Sequence, residues 1–423
     1  MRKMIDVLLS IFFLAMILLY SSWILLLMFP KRNKIGNYEN FPRISVVVPA
    51  YNEEEKIRET INSISDAEYP EMKEIIIVND GSTDRTAEIV EEIAGKNHEV
   101  KLLDVERGGK SNAINKGIEI SSGEIIVVID ADSLIGKNSL VEIVKPFSDD
   151  SVGGVSGIIR GIETKNPLTW FQDFEYILSS GWRFICDKVD GTYIFPGIGA
   201  FRKGALIEVG GFSDDTLSED FDIGIRLRKR GYKLVMSRAR IYTQVPRTFV
   251  GLAKQRMRWG KGTIQVIRKH SDVLLNRKFG SVGIYGIPTQ LYWLIHGFFC
   301  IPLTLYQVFD GYLKYFFSHN DILSLGVLKY IFSWFSIYGM FEYTYKTLSG
   351  EYAMTIIFVL AVISFLLNLT YISLVGMKIS RFVFRHMFVL FFFFPYSLLI
   401  ISLYVFPNIA TERKGRNLWE KVH

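Results

Sequence analysis

The chain reads as an α/β protein: a mostly parallel sheet with helices on its faces, joined to an α-helical transmembrane bundle with amphipathic helices at the membrane interface. Three observations predict this. Ile125 to Ile129 is an unbroken, mostly β-branched run that stops at Asp130-Ala131-Asp132, as does a strand covered on both faces with acids at its mouth. Three earlier apolar runs, each followed by a polar turn and a helical stretch, give the order β-α-β-α-β-α-β of a parallel sheet. Hydropathy is also uneven. Residues 6–29 and most of 284–407 are strongly apolar, while 43–280 has the charge density of a soluble domain. That is why the mean hydropathy of the 423 residues is as high as +0.22.

Taken in order, residues 6–29 are long enough to span a bilayer. The run exceeds a signal-peptide core, and no small-residue cleavage site precedes Pro30-Lys31-Arg32, so residues 1–30 are expected to be a retained anchor. Residues 43–48 form the first strand. Pro49 ends it, and Glu53-Glu54-Glu55 opens a helix over 53–65, where acidic charge suits the dipole. A second strand, 74–78, ends in Asn79-Asp80-Gly81-Ser82-Thr83-Asp84, and Ser82 to Asp84 can cap a helix running to Ala94. A third strand, 100–103, precedes Arg107-Gly108-Gly109-Lys110-Ser111-Asn112. This glycine pair, lysine and helix start (111–120) can cradle phosphate, although the spacing is not that of a P-loop.

Two strands thus end in acids and a third in a lysine-bearing loop, at the edge where open α/β sheets bind ligands. Asp130 and Asp132 are costly there unless a cation meets them. Carboxylate oxygens suit Mg²⁺ or Mn²⁺, ions that also hold phosphates. For an isolated D-x-D the plain alternative is an acidic turn capping the next helix. The pattern is that of a nucleotide-binding sheet, and the missing G-x-G-x-x-G after the first strand argues against a dinucleotide dehydrogenase. A net charge of +6 comes without a basic, aromatic-interleaved tract, so nucleic acid is not an expected partner. Cys186 and Cys300 form neither a disulfide framework nor a metal site, and the six histidines have no ligand spacing.

The stretches P-A-Y-N-E, V-N-D-G-S-T-D and I-D-A-D-S, in this order at predicted strand ends, resemble the signature set of family-2 glycosyltransferases with a GT-A fold. The resemblance implies that Ala50, Tyr51, Glu53 and Asp80 hold the uracil and ribose of a UDP-sugar donor. It puts Lys110 near the nucleotide, and Asp130 and Asp132 at the diphosphate through Mg²⁺ or Mn²⁺. Two later stretches narrow the branch. Ser218-Glu219-Asp220, before a helix expected over 222–230, and Gln255-Arg256-Met257-Arg258-Trp259 resemble the T-E-D and Q-x-x-R-W motifs of processive synthases of cellulose, chitin, hyaluronan and poly-N-acetylglucosamine. Ser218 stands where threonine is usual. Read alone, the first is an acidic N-cap cluster and the second a basic helix on anionic lipid.

By this resemblance Asp220 is the general base, with Glu219 beside it on the acceptor side. Enclosure near apolar groups should raise its pKa. Gln255 and Arg258 belong to the donor side, Arg258 neutralising charge on the leaving diphosphate, and Trp259 seats the acceptor sugar. Phe195-Pro196-Gly197 resembles the acceptor-side segment, with Pro196 where cellulose synthases usually carry cysteine, which disfavours cellulose. Direct attack implies inversion. The expectation is a processive synthase that exports a β-linked polymer, with UDP-N-acetylglucosamine the favoured donor and an accessory subunit left open. Two other classes remain: a non-processive enzyme adding one sugar to a polyprenyl phosphate or lipid, and an inactive membrane scaffold. Product length and UDP-sugar turnover separate them.

For the membrane half, four spans are expected, 284–309, 323–345, 353–376 and 383–407, making 281–410 a four-helix bundle after a 31–280 GT-A domain. Lys329 and Glu342 fall inside the second span, near its ends. With the enzyme domain cytosolic in a multi-pass plasma-membrane protein, four returning spans bring the 411–423 tail, with Arg413-Lys414-Gly415-Arg416, back inside. Lys378 and Arg381 then fall in an external loop, against the same rule. The aromatic stretch 167–186 reads as an interfacial amphipathic helix, or else as ordinary core.

Overall fold

In this computed structural model the described residues are 2–29, 41–162, 164–319 and 324–410. Eight strands form one sheet: β1 (Ile44–Ala50), β2 (Lys73–Asp80), β3 (Val100–Val105), β4 (Ile125–Ile129), β5 (Ser133–Ile135), β6 (Val152–Gly161), β7 (Ile198–Arg202) and β8 (Lys233–Thr243), in the order β3-β2-β1-β4-β7-β6-β8-β5. The first four are mutually parallel, β7 runs antiparallel between β4 and β6, β8 is parallel to β6, and β5 is antiparallel to β8. The helices are α1 (Arg2–Met28), α2 (Ile57–Ser65), α3 (Thr86–Ala94), α4 (Lys110–Ile120), α5 (Ser139–Val144), α6 (Pro167–Lys188), α7 (Lys203–Glu208), α8 (Glu219–Lys229) and α9 (Phe249–Lys269). After them come α10 (Ile287–His319), α11 (Leu325–Trp334), α12 (Tyr338–Leu348), α13 (Ile356–Lys378), α14 (Arg385–Phe391) and α15 (Phe393–Ala410).

The β-branched runs make the sheet interior because alternate residues serve opposite faces. Val46 and Val48 pack with Ile57, Ile61 and Ile64 of α2. Val47 packs on the other face with Ile114 and Ile118 of α4 and with Ile223 of α8. The expected helix over 53–65 begins only at Ile57. Before it, the Glu53 and Glu54 N–H groups donate to Thr86 Oγ1 at 2.8 Å and Asp84 Oδ2 at 3.1 Å, which ties the loop after β1 to the start of α3. The helix expected over 222–230 starts earlier, at Glu219, so Glu219 and Asp220 lie in its first turn.

Helix α6 joins the sheet domain to the membrane helices. On one side Arg183 donates to Gly157 O at 3.0 Å on β6. On the other, Gly181 lies so near α13 that an added Cβ would be 2.5 Å from Val375 Cγ2. Helices α1 and α13 run side by side in the same direction. Lys378 Nζ, at the end of α13, donates to the Leu27 carbonyl at the end of α1 (2.9 Å).

The membrane half departs from the expected four spans. Among the described residues, the helical segments long and apolar enough to cross a bilayer are Ile5–Met28 at the N-terminal end and, in the membrane half, Val282–Ser318 and Ile356–Lys378, with α14 and α15 a third there if their 72° bend is one broken span. The segment 323–345 is no single span. It divides into α11 and α12, of 10 and 11 residues, each about 15 Å long and too short to cross. Lys329 and Glu342 pair across this break at 3.2 Å, which accommodates both charges. The pair begins against the distal end of α10, where Gly326 packs on Tyr315, and ends near the start of α13, where Tyr343 meets Phe358 at 5.3 Å. It therefore returns to the side it left. Helix α13 then runs back to the sheet domain, so Lys378 and Arg381 are not on the far side as expected. Arg238 Nη1 donates to Lys378 O at 3.2 Å and Arg160 Nη1 to Ser380 Oγ at 2.9 Å.

The span expected over 383–407 bends because Pro395 has no N–H for the Phe391 carbonyl four residues back. That carbonyl accepts instead from Ile337 N at 3.0 Å, inside the α11–α12 break. Lys31-Arg32 and the basic tail 411–423 lie outside the described residues.

Gly181→Val would overpack the contact between α6 and α13. Such changes cost about 1–3 kcal/mol, so the melting temperature in lipid nanodiscs should fall by several degrees. An unchanged melting curve would show that the two helices are not apposed.

Candidate active site

The site is assembled at the carboxyl ends of β1, β2 and β4. Parallel pairing puts Ala50 opposite Asn79, and Asp80 follows. The Asp80 carboxylate, 2 % exposed, accepts from Gly108 N at 2.7 Å and Gly109 N at 3.0 Å and from the Arg107 guanidinium. Gly109 has φ +88°, which suits glycine at this turn. Asp80 thus shapes its end of the site through the loop that carries Lys110. Arg107 lies over the Tyr51 ring at 3.4 Å from its centroid, a stacked cation that the sequence motifs did not single out. Only the adjacency of the β1, β2 and β3 ends brings it there. Ala50, Tyr51, Glu53 and Asp80 are not among the residues that line the cavity at the end of β4.

That cavity, about 340 Å³, brings together Lys110, Asp130, Asp132, Phe195, Pro196, Gly197, Glu219, Asp220, Gln255, Arg258 and Trp259. Its wall continues onto the membrane helices at Gln290 and Tyr404, and onto α6 at Glu175, Tyr176 and Trp182, residues the motifs do not mark. Pro196-Gly197 comes beside Asp130 because β7 pairs antiparallel with β4, with Ile198 opposite Ile129. Gly197, at φ +75°, makes the turn.

Lys110 is the electrostatic centre. Its Nζ is 2.6 Å from Asp130 Oδ1 and 2.8 Å from Glu219 Oε1. Burial works against the ammonium, but Asp130 and Glu219 hold its pKa well above the lysine norm. Burial and then Asp130 push Asp132 up, with Lys56 and Lys110 opposing. This under-neutralised acid pair at a strand end fits Mg²⁺ or Mn²⁺. Among the described residues no third histidine, cysteine or carboxylate joins them, so phosphate oxygens would have to complete the shell.

The neighbouring acids of α8 are driven apart. Burial raises both, but Lys110 brings Glu219 below its ordinary value. Burial, and then the charge of Glu219, pushes Asp220 up to about 6. A carboxylate so poised can take a proton near neutral pH. The third acid, Asp222, is fully buried against Arg226, Lys269 and His270 at 2.6–2.9 Å. These partners, outweighing burial, hold its pKa well below the usual carboxylate range. It anchors α8 to the end of α9.

Helix α9 does not lie free on a lipid surface. It packs beneath α15, where Leu252 meets Tyr396 and Ile400, and Gln255, Arg258 and Trp259 line the cavity. Gly262 permits the close approach to α8: an added Cβ would be 2.2 Å from Ser218 Oγ and 3.0 Å from the Leu217 carbonyl carbon. Leu217 N donates to Gln265 Oε1 at 2.9 Å in the same contact.

A GT-A sheet with a strand-end acid pair and a poised carboxylate across one cavity is the machinery of a glycosyltransferase. Residues 45–210 match the family described as glycosyl transferase family 2. The chain is 34 % identical over 305 residues to the poly-β-1,6-N-acetyl-D-glucosamine synthase of Staphylococcus epidermidis, covering 71 % of each chain. It is 35 % identical over 246 residues to a probable glycosyltransferase, YdaM, of Bacillus subtilis, covering 55 % of this chain and 58 % of that one. Among solved structures, a mannosyltransferase from Pyrobaculum calidifontis in complex with GDP-Man and Mn²⁺ is similar in fold, with a TM-score of 0.61 at 22 % identity over 89 % of this chain and 98 % of that one. The chain belongs to glycosyltransferase family 2 and is of the poly-N-acetylglucosamine synthase type.

Gly262→Ala should force α9 away from the start of α8. UDP affinity should stay within about twofold while kcat falls about tenfold or more, since misplacing reacting groups by about an ångström is costly. A variant with wild-type kcat would show that this contact does not align the site.

Proposed function

We propose that the chain is a membrane-embedded, inverting, processive glycosyltransferase that polymerises UDP-N-acetylglucosamine into a β-linked polysaccharide and passes it across the plasma membrane. The observation that carries this reading is the single cavity, which runs from the donor acids past Asp220 and Trp259 to Gln290 and Tyr404 on the membrane helices. The identity to poly-β-1,6-N-acetyl-D-glucosamine synthases supports the choice of sugar.

Chemically, the acceptor hydroxyl attacks the anomeric carbon of the donor as the bond to the diphosphate breaks. Its proton goes to Asp220, while Glu219 stays ionised beside Lys110. Attack opposite the leaving group converts an α-linked donor into a β-linked product. Trp259 presents an indole face to the acceptor sugar, and Arg258 balances charge on the departing UDP. Tyr51 and Arg107, stacked together, frame the nucleoside end with Ala50, Glu53 and Asp80. Asp130 and Asp132 would hold Mg²⁺ or Mn²⁺, which when bound supplies positive charge at the diphosphate.

The catalytic domain is assigned to the cytosol, where nucleotide-sugars are found. This fits the basic residues Lys378 and Arg381 on its side of the membrane under the positive-inside rule. The growing polysaccharide and the lipid bilayer are then the protein's partners, together with any accessory subunit.

Purified protein in lipid, supplied with a panel of UDP-sugars and Mg²⁺ or Mn²⁺, should release UDP and form a long β-linked polymer from UDP-N-acetylglucosamine. A single sugar added to lipid would overturn processivity. Asp132→Ala should lose metal-dependent UDP binding, and retained binding would remove this residue from the metal site. Asp220→Asn should still bind UDP-sugar but lose turnover. With the wild-type chain, kcat/KM should fall as pH drops through about 6, because the base acts only when deprotonated. A profile flat from pH 5 to 7, values that bracket the shifted carboxyl by about one unit, would exclude Asp220 as the base.

A further inference from the structure

Arg256, the second residue of Gln255-Arg256-Met257-Arg258-Trp259, is absent from the cavity lining and 0 % exposed. A guanidinium removed from water in this way must be compensated by charge and hydrogen bonds. Its partners come from three elements. Nη2 donates to Glu175 Oε2 on α6 at 2.8 Å. The same carboxylate oxygen accepts from the Tyr396 hydroxyl on α15 at 2.6 Å. Nη1 donates to Gln255 Oε1 within α9. The planar cation also lies over the Trp259 ring at 4.3 Å from its centroid and near the Tyr176 ring at 5.8 Å. One group therefore touches both Gln255 and Trp259, the two motif side chains that face the cavity on its own side of α9. A lysine at this position would keep the charge but neither the fork nor the flat face.

We propose that Arg256 is a positioning residue. Clamped by Glu175 and Tyr396, it fixes the orientation of Trp259, so the seat of the acceptor is set from the membrane helix α15 through α6. The inference rests on the processive reading above, because it concerns where the growing end is held. Tyr396 lies at the start of α15, just beyond the bend at Phe392. The angle of that bend is thereby coupled to the acceptor seat, while the donor acids on β4 take no part in the network.

The test uses the full chain in lipid nanodiscs with the variants Arg256→Lys, Glu175→Gln and Tyr396→Phe. Three quantities are measured: UDP affinity with Mn²⁺ by calorimetry, KM and kcat with β-linked N-acetylglucosamine oligomers as acceptors, and product length. Tyr396→Phe removes one hydroxyl and should raise the acceptor KM by about threefold to tenfold and shorten the product, with UDP affinity within about twofold. Arg256→Lys should be worse, by about tenfold or more, because charge alone does not restore the stack. Should Arg256→Lys fail to fold, Tyr396→Phe decides. Normal acceptor KM and product length in folded variants would overturn the inference, as would UDP affinity falling in step with acceptor KM. If wild-type protein makes no polymer, the functional reading fails instead. If it polymerises and the variants match it, only the positioning role fails.

Discussion

Four carboxylates converge on one lysine, and the site depends on that arrangement. Asp130 and Asp132 come from the end of β4, and Glu219 and Asp220 from the first turn of α8. In the partly dehydrated interior such a group cannot all be ionised without positive charge among them. Lys110 supplies it, touching one acid from each pair. Its reach joins the end of β4 to the first turn of α8, and the uneven sharing of its charge separates Glu219 from Asp220. The loop that delivers Lys110 is in turn held by Asp80 through two backbone N–H groups. A buried aspartate at the end of β2 thus sets the position of a cation that acts at the end of β4.

The contact of α8 with α9 is held by close approach as well as by charge. Helix α9 can lie against the start of α8 because residue 262 has no side chain, and α8 itself lies so close to the segment before β7 that a Cβ on Gly224 would be 1.9 Å from Tyr193 O. Helix α6 contributes to the sheet domain and to the membrane helices. Arg183 bonds to β6, Glu175 reaches the cavity and Arg256, and Gly181 meets α13. Its aromatic residues pack in a buried cluster with α1 and α13, in keeping with the core reading of this stretch.

The sequence made the first half of the sheet legible because β1, β2 and β4 are buried on both faces and consist of β-branched runs ending in motif acids. The second half escaped because its strands lack that signature. Strand β6 opens Val152-Gly153-Gly154, β7 is Ile198-Gly199-Ala200-Phe201-Arg202 with no β-branched run, and β8 carries Arg238 and Arg240 at alternate, exposed positions. Most of the candidate site residues were legible because they stand at strand ends or in the two motifs at α8 and α9. Arg107, Glu175 and Tyr396 were not, since their relevance arises only where separate elements meet. In the membrane half, apolar composition marked where helices lie but not where they stop. Pro395 carried a signal for the bend between α14 and α15. Residues 335–337, which separate α11 from α12, contain neither glycine nor proline.

Those two interruptions share a hydrogen bond, from Ile337 N to Phe391 O. In hydrocarbon, an unpaired peptide N–H or carbonyl costs several kcal/mol. Pulling the α11–α12 hairpin away from the α14–α15 elbow would expose one of each. The aromatic contacts of Phe332 with Phe391 and Phe392 close the same seam. Mechanically, the hairpin and the elbow form one hinge block. A displacement of either must carry the other, so a strain applied to the hairpin is felt at the helix that bears Tyr396.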